Sequence, residues 1–255
     1  MMDDSCSLSS DFSCDSFLGG RVRLYQPRKG YRAGIDAVFL SACVQPSAGQ
    51  SILDVGAGVG TASILLLIRA AEKLPFSVCA LEKEKILSEL SEKNALLNNV
   101  SEFLTSVSSD LNKSPPEINQ KSFDQVMTNP PFFEGTMISP HALKAKANHP
   151  SSVSFEAWID FCIKRLKSFG TLTLIIPPQR LPSFLKMCEG RLGDLHIYPL
   201  WQRTETPAKR LLIQGVKDRK TPLKLLSGLV LHETDRAFTS EAHDVLWEGK
   251  SLILR

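Results

Sequence analysis

No stretch of the 255-residue sequence reaches the roughly 20 apolar residues that a membrane-spanning helix needs; the strongest apolar run covers only residues 64–68. We expect no signal peptide in residues 1–17, because they carry four aspartates among serines rather than a basic and then apolar pattern. We therefore expect a cytoplasmic protein without membrane association. We predict a flexible acidic, serine-rich tail over residues 1–17 and one folded domain over residues 18–255.

The six cysteines lack the spacing of a disulfide framework or a metal site. They include no C-x-x-C pair and have no histidine nearby at zinc-ligand spacing. A chain of this length buries enough apolar surface to fold without disulfides. We therefore expect reduced thiols and no metal. No internal repeat or low-complexity segment is present, and nothing in the sequence implies an obligate protein partner.

Acidic residues are absent from two basic stretches, residues 16–35 and residues 135–155, although the net charge of the chain is only +3. Local basic surfaces of this kind suit a polyanion such as RNA. Solvated surface charge is an equally good interpretation of either stretch taken alone. The residues that we predict to bind RNA are Arg28, Lys29, Arg32, Lys144 and Lys146.

Apolar runs bounded by turn residues alternate with helical segments along most of the chain. Strands are predicted over residues 51–55, 76–81, 104–107, 123–128 and 171–176, and helices over residues 62–71, 83–97 and 155–166. Alternation indicates parallel strands joined by crossover helices. Two later runs, residues 195–200 and 211–216, are close in sequence and favour an antiparallel pair. The predicted fold is therefore a single doubly wound α/β domain with a mostly parallel seven-stranded sheet.

A glycine-rich turn over residues 54–60 separates the first of these strands from the following helix. Glycines let a ligand approach the backbone, and a helix N-terminus offers free N–H groups. In the dinucleotide fingerprint the third glycine falls one residue later, where this chain has Thr61. The spacing therefore favours S-adenosyl-L-methionine over NAD. The predicted cofactor-binding residues of this turn are Asp54, Gly56, Ala57 and Gly58.

Two acids follow the next two strands. Glu82 ends the second strand, where an acid can bind the two hydroxyls of a ribose, although it also belongs to a charged helix start where it could simply be solvated. Asp110 follows the third strand and can accept a hydrogen bond from an adenine amino group, or it can merely initiate a turn. We predict that both bind the cofactor.

The most specific motif is Asn129-Pro130-Pro131-Phe132, at the end of the fourth predicted strand. The prolines stiffen the chain and leave carbonyl groups as acceptors. An aromatic amine is a poor nucleophile, and the Asn129 side-chain oxygen and the Pro130 carbonyl can accept its two N–H bonds, while Phe132 can stack on the base. We predict that these four residues form the catalytic motif and that Asn129 also lies against the cofactor.

With these motifs the chain, from about Leu18 onward, resembles the Rossmann-like class I S-adenosylmethionine-dependent methyltransferases with an N-P-P-[YF] signature. More closely, it resembles the bacterial valine-tRNA adenine-N6 methyltransferase family. The resemblance runs through residues 26–37, 54–60, 82, 110, 129–133 and 207–210. It implies methyl transfer to adenine N6 of the anticodon-loop adenosine that follows the anticodon of a valine tRNA. The cofactor residues that it implies are Gly56, Gly58, Glu82 and Asp110, and the target residues are Asn129, Pro130 and Phe132.

Other functions share parts of this pattern. Glutamine N5 methylation of a release factor and guanine N2 methylation of rRNA use the same chemistry on planar nitrogens. Release-factor enzymes, however, carry a helical domain where this chain has its basic N-terminal segment. A non-catalytic RNA-binding module is a further alternative, disfavoured by the intact glycine turn, Glu82 and Asn129. We disfavour DNA adenine methylation because we expect no separate target-recognition domain before Leu18 or after Arg255.

Overall fold

The computed structural model describes residues 10–254 except residues 31, 114, 132–152 and 235–236. The chain starts with an antiparallel hairpin of β1 (Phe12–Phe17) and β2 (Val22–Pro27), joined by the 3-10 turn Leu18–Gly20. The prediction of a flexible tail over residues 1–17 is therefore wrong for residues 12–17. These residues pair with β2 through the backbone, and Phe12 packs beside Tyr25 and Val59. Residues 1–9 lie outside the described residues.

The main sheet contains all seven predicted strands. They are β3 (Ser51–Val55), β4 (Ser77–Glu82), β5 (Leu104–Ser108), β6 (Phe123–Thr128), β7 (Leu166–Ile176), β8 (Leu192–Trp201) and β9 (Arg210–Lys217). Two strands of two residues each, β10 (Lys224–Leu225) and β11 (Leu229–Val230), also pair with β8 and were not predicted.

The strand order is β10-β8-β9-β7-β6-β3-β4-β5. From β3 the chain first adds β4 and β5 on one side, and it then returns to add β6 and β7 on the other side. The five strands β3 to β7 pair with one another in parallel. The strand β9 is antiparallel to both β7 and β8. The predicted parallel sheet with an antiparallel C-terminal pair is confirmed. Because ligands of open α/β sheets bind where the strand order reverses, the carboxyl ends of β3 and β6 are the expected binding edge.

Helices cover both faces of the sheet. They are α1 (Ile35–Cys43), α2 (Thr61–Arg69), α3 (Lys85–Leu97), α4 (Pro116–Asn119), α5 (Phe155–Lys164), α6 (Leu181–Cys188) and α7 (Ser240–Leu246). One apolar core joins α1, α2 and α7 to the sheet, and a second joins α5 and α6 to its other face. The side chains of Phe155, Ile159 and Ile163 on one face of α5 are buried. In the described ranges, no helix is both long and apolar enough to cross a membrane.

Candidate active site

The strand register brings the predicted site residues to one edge of the sheet. Val55 is aligned with Leu81 on one side and with Thr128 on the other. The next residue of each strand is therefore at the same level, which places Gly56 between Glu82 and Asn129. Glu82 in turn is aligned with Ser108, two residues before Asp110. The carboxyl ends of four neighbouring parallel strands thus collect the glycine turn, both acids and the start of the Asn-Pro-Pro motif.

The glycine turn needs glycine at its alternate positions because Gly56, Gly58 and Gly60 have φ values of 75°, 57° and 80°. Its N–H groups are not free at the residues that we expected to offer them. Gly56 and Ala57 both donate to the Leu81 carbonyl, at 2.8 and 3.1 Å, and Gly58 donates to Glu82 Oε2 at 2.8 Å. At these residues the turn therefore offers a ligand its Cα surface and its carbonyl groups rather than unpaired donors.

Glu82 combines with the turn to form an acceptor site suited to a ribose. Its Oε2 accepts from Gly58 N at 2.8 Å and its Oε1 accepts from Glu84 N at 2.9 Å, so both oxygens are held in place. A carboxylate has about four acceptor positions, so one on each oxygen remains for a hydroxyl group. The side chain is only half-buried. This donor and acceptor chemistry fits the two hydroxyls of the predicted cofactor's ribose.

Asp54 lies directly before the turn, but its side chain is 2% exposed and points to the neighbouring helix. Its Oδ2 accepts a hydrogen bond from Ser63 Oγ of α2 at 2.7 Å. Burial raises the pKa of the Asp54 carboxyl to about 7, and the nearby charge of Glu82 contributes to the increase. A direct contact between Asp54 and a cofactor stays a prediction. The hydrogen bond between Asp54 and Ser63 joins the end of β3 to the start of α2.

We expect the substitution Asp54→Asn to flatten the pH dependence of stability. The pKa of the folded state is raised, so between about pH 4 and 7 the folded protein holds a proton that the unfolded chain releases, and stability falls as the pH rises. From pH 5 to pH 8 the wild-type protein should lose on the order of 3 kcal/mol of its free energy of unfolding through this group. The variant, which has no carboxyl group at position 54, should not show this loss. Denaturant titrations of both proteins at both pH values measure this difference. If the free energy of unfolding changed equally with pH in wild type and variant, the raised pKa of Asp54 would be contradicted.

Asp110 is held by contacts within the chain, among them a backbone hydrogen bond and an ion pair. Its Oδ1 accepts from Asn112 N at 2.9 Å, which is the turn that we gave as the alternative to adenine binding, and its Oδ2 lies 3.1 Å from Lys83 Nζ. The Asn112 N–H bond is the main reason why the pKa of Asp110 is lowered, so the side chain is a carboxylate. Its contact with adenine stays a prediction.

The Asn-Pro-Pro motif continues β6 at the binding edge. Asn129 and Pro130 are half-buried and Pro131 is exposed, whereas Phe132 lies outside the described residues. The preceding residue, Thr128, is fully buried, and its Oγ1 donates to the Val55 carbonyl at 2.8 Å. This bond joins β6 to β3 one residue before Asn129 and Gly56. The backbone that carries both motifs is therefore fixed at this point.

Trp158 of α5 is a site residue that the sequence did not reveal. Its Nε1 donates to Thr128 Oγ1 at 2.9 Å, and its ring covers Gly56 so closely that a Cβ there would lie 2.7 Å from Trp158 Cζ2. In sequence, Trp158 reads as one more apolar position of an amphipathic helix. Only the three-dimensional structure places its ring against Gly56 and against Thr128, the residue before Asn129.

The helix α1, which follows the basic stretch of residues 16–35, is joined to the same edge of the sheet by an ion pair. Asp36 of α1 accepts from Arg210 Nε at 2.7 Å, and Arg210 begins β9 beside the end of β7. Arg28, Lys29 and Arg32 are all exposed. Arg28 Nε donates to the Ser10 carbonyl at 3.0 Å, and Arg32 is bound to Asp15 Oδ2 at 2.6 Å. The predicted RNA-binding residues Lys144 and Lys146 lie outside the described residues.

Comparison with known proteins matches this architecture to methyltransferases. The family described as the methyltransferase small domain matches residues 33–149. A tRNA1(Val) (adenine(37)-N6)-methyltransferase of Shewanella baltica strain OS185 is 31% identical over 185 residues, which cover 72% of this chain and 76% of the relative. The enzyme of the same description from Shewanella woodyi is 29% identical, with coverages of 83% and 89%. The chain belongs to the tRNA1(Val) (adenine(37)-N6)-methyltransferase family.

Solved structures support the fold of this family member. A predicted O-methyltransferase from Agrobacterium tumefaciens has a TM-score of 0.68 at 25% identity, covering 86% of this chain and 98% of its own. The Thermus thermophilus 16S rRNA N2 G1207 methyltransferase has a TM-score of 0.56 at 19% identity, covering 81% of this chain and 50% of its own. The predicted family and its Rossmann-like methyltransferase fold are therefore confirmed. No group of His, Cys, Asp or Glu suited to a metal ion occurs within the described ranges.

Proposed function

We propose that this protein transfers a methyl group from S-adenosyl-L-methionine to the exocyclic N6 of an adenine in tRNA, in the cytoplasm. The observation that carries the proposal is the register of β3 and β6, which sets the glycine turn and Asn129-Pro130 side by side. The relatives are named for adenine 37 of tRNA1(Val), and we take the same nucleotide as the target. The substrate is thus a single-stranded anticodon-loop base, which costs little to unstack.

The cofactor supplies a methyl group on a positively charged sulfur, already activated for transfer. We propose that Gly56, Ala57 and Gly58 provide the surface on which it lies and that Glu82 accepts hydrogen bonds from its ribose. Asp110 is proposed to accept a hydrogen bond from the amino group of its adenine. Asp54 is proposed to stabilise the turn through its hydrogen bond with Ser63 of α2. These residues bind and orient the cofactor. On transfer the new N6–methyl bond would form as the methyl–sulfur bond breaks, which would leave neutral S-adenosylhomocysteine, and the methylated nitrogen would release one proton to water.

Asn129 and Pro130 are proposed to make the target amine a better nucleophile. The lone pair of an adenine N6 amine is delocalised into the ring. Two acceptors that take its N–H bonds, the Asn129 side-chain oxygen and the Pro130 carbonyl, increase the electron density on nitrogen and fix its direction of approach. Preorganised groups of this kind cost no rearrangement at the moment of reaction. Pro131 stiffens the motif, and Phe132 is proposed to stack on the base.

Substitution of Glu82 by alanine should weaken S-adenosylmethionine binding by about 1.5 to 3 kcal/mol, the scale of hydrogen bonds to a charged group. Titration calorimetry of the purified variant measures this loss. Glu84→Ala is the matched control, because Glu84 is an exposed acid two residues away whose backbone N–H, not its side chain, contacts Glu82. Equal affinities of the Glu82 variant and wild type would contradict the ribose contact and leave Glu82 only its hydrogen bonds to Gly58 N and Glu84 N.

We propose that the exposed basic residues beside the site bind tRNA phosphates. Arg28 and Lys29 follow β2, and Arg203 and Lys209 lie in the exposed turn between β8 and β9. Since β9 is antiparallel to β7, that turn lies at the carboxyl edge of the sheet, as Asn129 does. Arg32 is already paired with Asp15 within the hairpin, so a phosphate there competes with an existing ion pair.

Joint replacement of Arg28, Lys29 and Arg32 by alanine should weaken tRNA binding and flatten its salt dependence by roughly 0.7 to 0.9 per lost phosphate contact. S-adenosylmethionine affinity should not change. Binding titrations at several salt concentrations measure the slope, and Arg32→Ala alone serves as control for loosening of the hairpin. A loss of cofactor affinity at an unchanged salt slope would assign the segment to a lid over the cofactor instead.

The competing targets of this chemistry are a release-factor glutamine and an rRNA guanine. Incubation of the protein with labelled S-adenosylmethionine and each substrate, including a valine-tRNA transcript in which adenine 37 is replaced by guanine, separates them. We expect label only in the transcript with adenine. Label in the release factor or rRNA, or equal label in both transcripts, would overturn the proposed target. S-adenosylmethionine binding without transfer to any substrate would favour a non-catalytic RNA-binding module.

A further inference from the structure

The helix α3 turns a polar face toward the interior of the protein, next to the glycine turn. Ser88, Ser91 and Asn94 are buried there, and Asn94 is 0% exposed. A Cβ on Gly60 would clash with Ser91 Oγ, so the turn packs directly on this face. A buried amide is costly unless its hydrogen bonds are made. The contacts of Asn94 therefore show what this face holds in place.

Asn94 uses both ends of its amide to join two separate segments. Its Oδ1 accepts from Tyr25 N at 2.7 Å, and its Nδ2 donates to Tyr25 O and to Val59 O, at 3.0 Å each. Tyr25 belongs to the N-terminal hairpin, and Val59 lies within the glycine turn. One side chain thus connects the hairpin, the helix and the turn.

Asn98, one helical turn later, provides an internal comparison. It makes the same pair of contacts with Arg23, two residues before Tyr25 in β2. Its Oδ1 accepts from Arg23 N at 3.1 Å, and its Nδ2 donates to Arg23 O at 2.7 Å. The Asn98 Nδ2 group also donates to the Asn94 carbonyl within α3, at 2.8 Å, rather than to the glycine turn. The two asparagines therefore share the hairpin contact and differ in the contact with Val59.

We infer that Asn94 is a positioning residue that holds the glycine turn in its cofactor-binding conformation through the Val59 carbonyl. The inference rests on the proposed function, because it concerns the same cofactor. A turn with three glycines at positive φ has much conformational freedom to lose when a ligand binds. A fixed carbonyl at its centre removes part of that cost before binding. An amide at position 94 supplies the two donors and one acceptor that this junction uses.

The test compares Asn94→Ala with Asn98→Ala in the full-length protein, with S-adenosylmethionine as the probe. Titration calorimetry gives its dissociation constant, at a temperature where circular dichroism shows each variant to be folded. We expect the constant to rise about tenfold for Asn94→Ala, the scale of a lost buried hydrogen bond, and to stay within about twofold of wild type for Asn98→Ala. Both variants should melt at a lower temperature, because both lose hairpin contacts. If Asn94→Ala does not fold, Asn94→Ser, whose short hydroxyl cannot span both segments, replaces it.

The outcomes separate the inference from the proposed function. An unchanged dissociation constant in the Asn94 variant, or equal increases in the Asn94 and Asn98 variants, would overturn the positioning role and leave only a structural one. Failure of the wild-type protein to bind S-adenosylmethionine would overturn the proposed function itself, and the inference with it. A rise confined to Asn94 supports both.

Discussion

Replacement of Asn129 by alanine is expected to lower turnover by on the order of 100-fold, as for the loss of one oriented contact in the transition state. Asn129 directly follows Thr128, whose fully buried side chain is bonded to Val55 O and to Trp158 Nε1. The backbone at this position is thus held independently of the Asn129 side chain. Truncation should remove the acceptor and leave its surroundings in place.

The measurement for this variant combines steady-state kinetics on valine tRNA with titration calorimetry of the cofactor. S-adenosylmethionine affinity and melting temperature should be close to those of wild type, because Asn129 is half-buried and its role is directed at the target amine. Parallel loss of cofactor binding and rate would point to misfolding. A rate within a few-fold of wild type would contradict the role of Asn129 as acceptor.

The substitution Gly56→Ala should lower the free energy of unfolding by about 2 to 5 kcal/mol. Two costs add: the left-handed backbone, at φ 75°, costs about 1 to 2 kcal/mol with a side chain, and the new methyl group would lie 2.7 Å from Trp158 Cζ2, an overpacking that costs about 1 to 3 kcal/mol. The Trp158 ring cannot move away without breaking its bond to Thr128.

Gly49→Ala is the matched control for this prediction. Gly49 has a similar φ of 81°, but a Cβ there would meet no heavy atom within 4 Å. It should therefore show only the backbone cost, and denaturant titration of both variants isolates the crowding against Trp158. Equal destabilisation of the two variants would mean that Trp158 does not confine the turn.

The sequence was sufficient to predict the fold and the edge of the sheet at which the candidate residues lie, because both depend on local patterns. Apolar runs alternating with helical segments predicted the seven long strands, and parallel pairing then required their carboxyl ends to share one edge. The glycine turn, Glu82 and Asn129 were found on that edge because each follows a predicted strand. The two-residue strands β10 and β11 have no pattern of their own and exist only by pairing with β8.

The features that the sequence did not predict depend on contacts between distant segments. Asn94 and Trp158 are a polar and an aromatic residue on ordinary helices, and their partners Tyr25 and Thr128 lie 69 and 30 residues away. Residues 12–17 were assigned to the tail because residues 1–17 as a whole are acidic and serine-rich, yet their backbone pairs with β2 and Asp15 pairs with Arg32. The N–H groups of Gly56 and Ala57 are taken by Leu81, which only the register of β3 and β4 reveals.

Mass analysis of nucleosides from purified valine tRNA tests the proposed methylation of adenine N6 most directly. In a strain that lacks the gene for this protein, N6-methyladenosine should disappear from position 37 of that tRNA, where the named relatives act. Expression of the wild-type chain should restore it, and expression of Asn129→Ala should not. N6-methyladenosine that persists in the deletion strain at the wild-type level would contradict the proposed function.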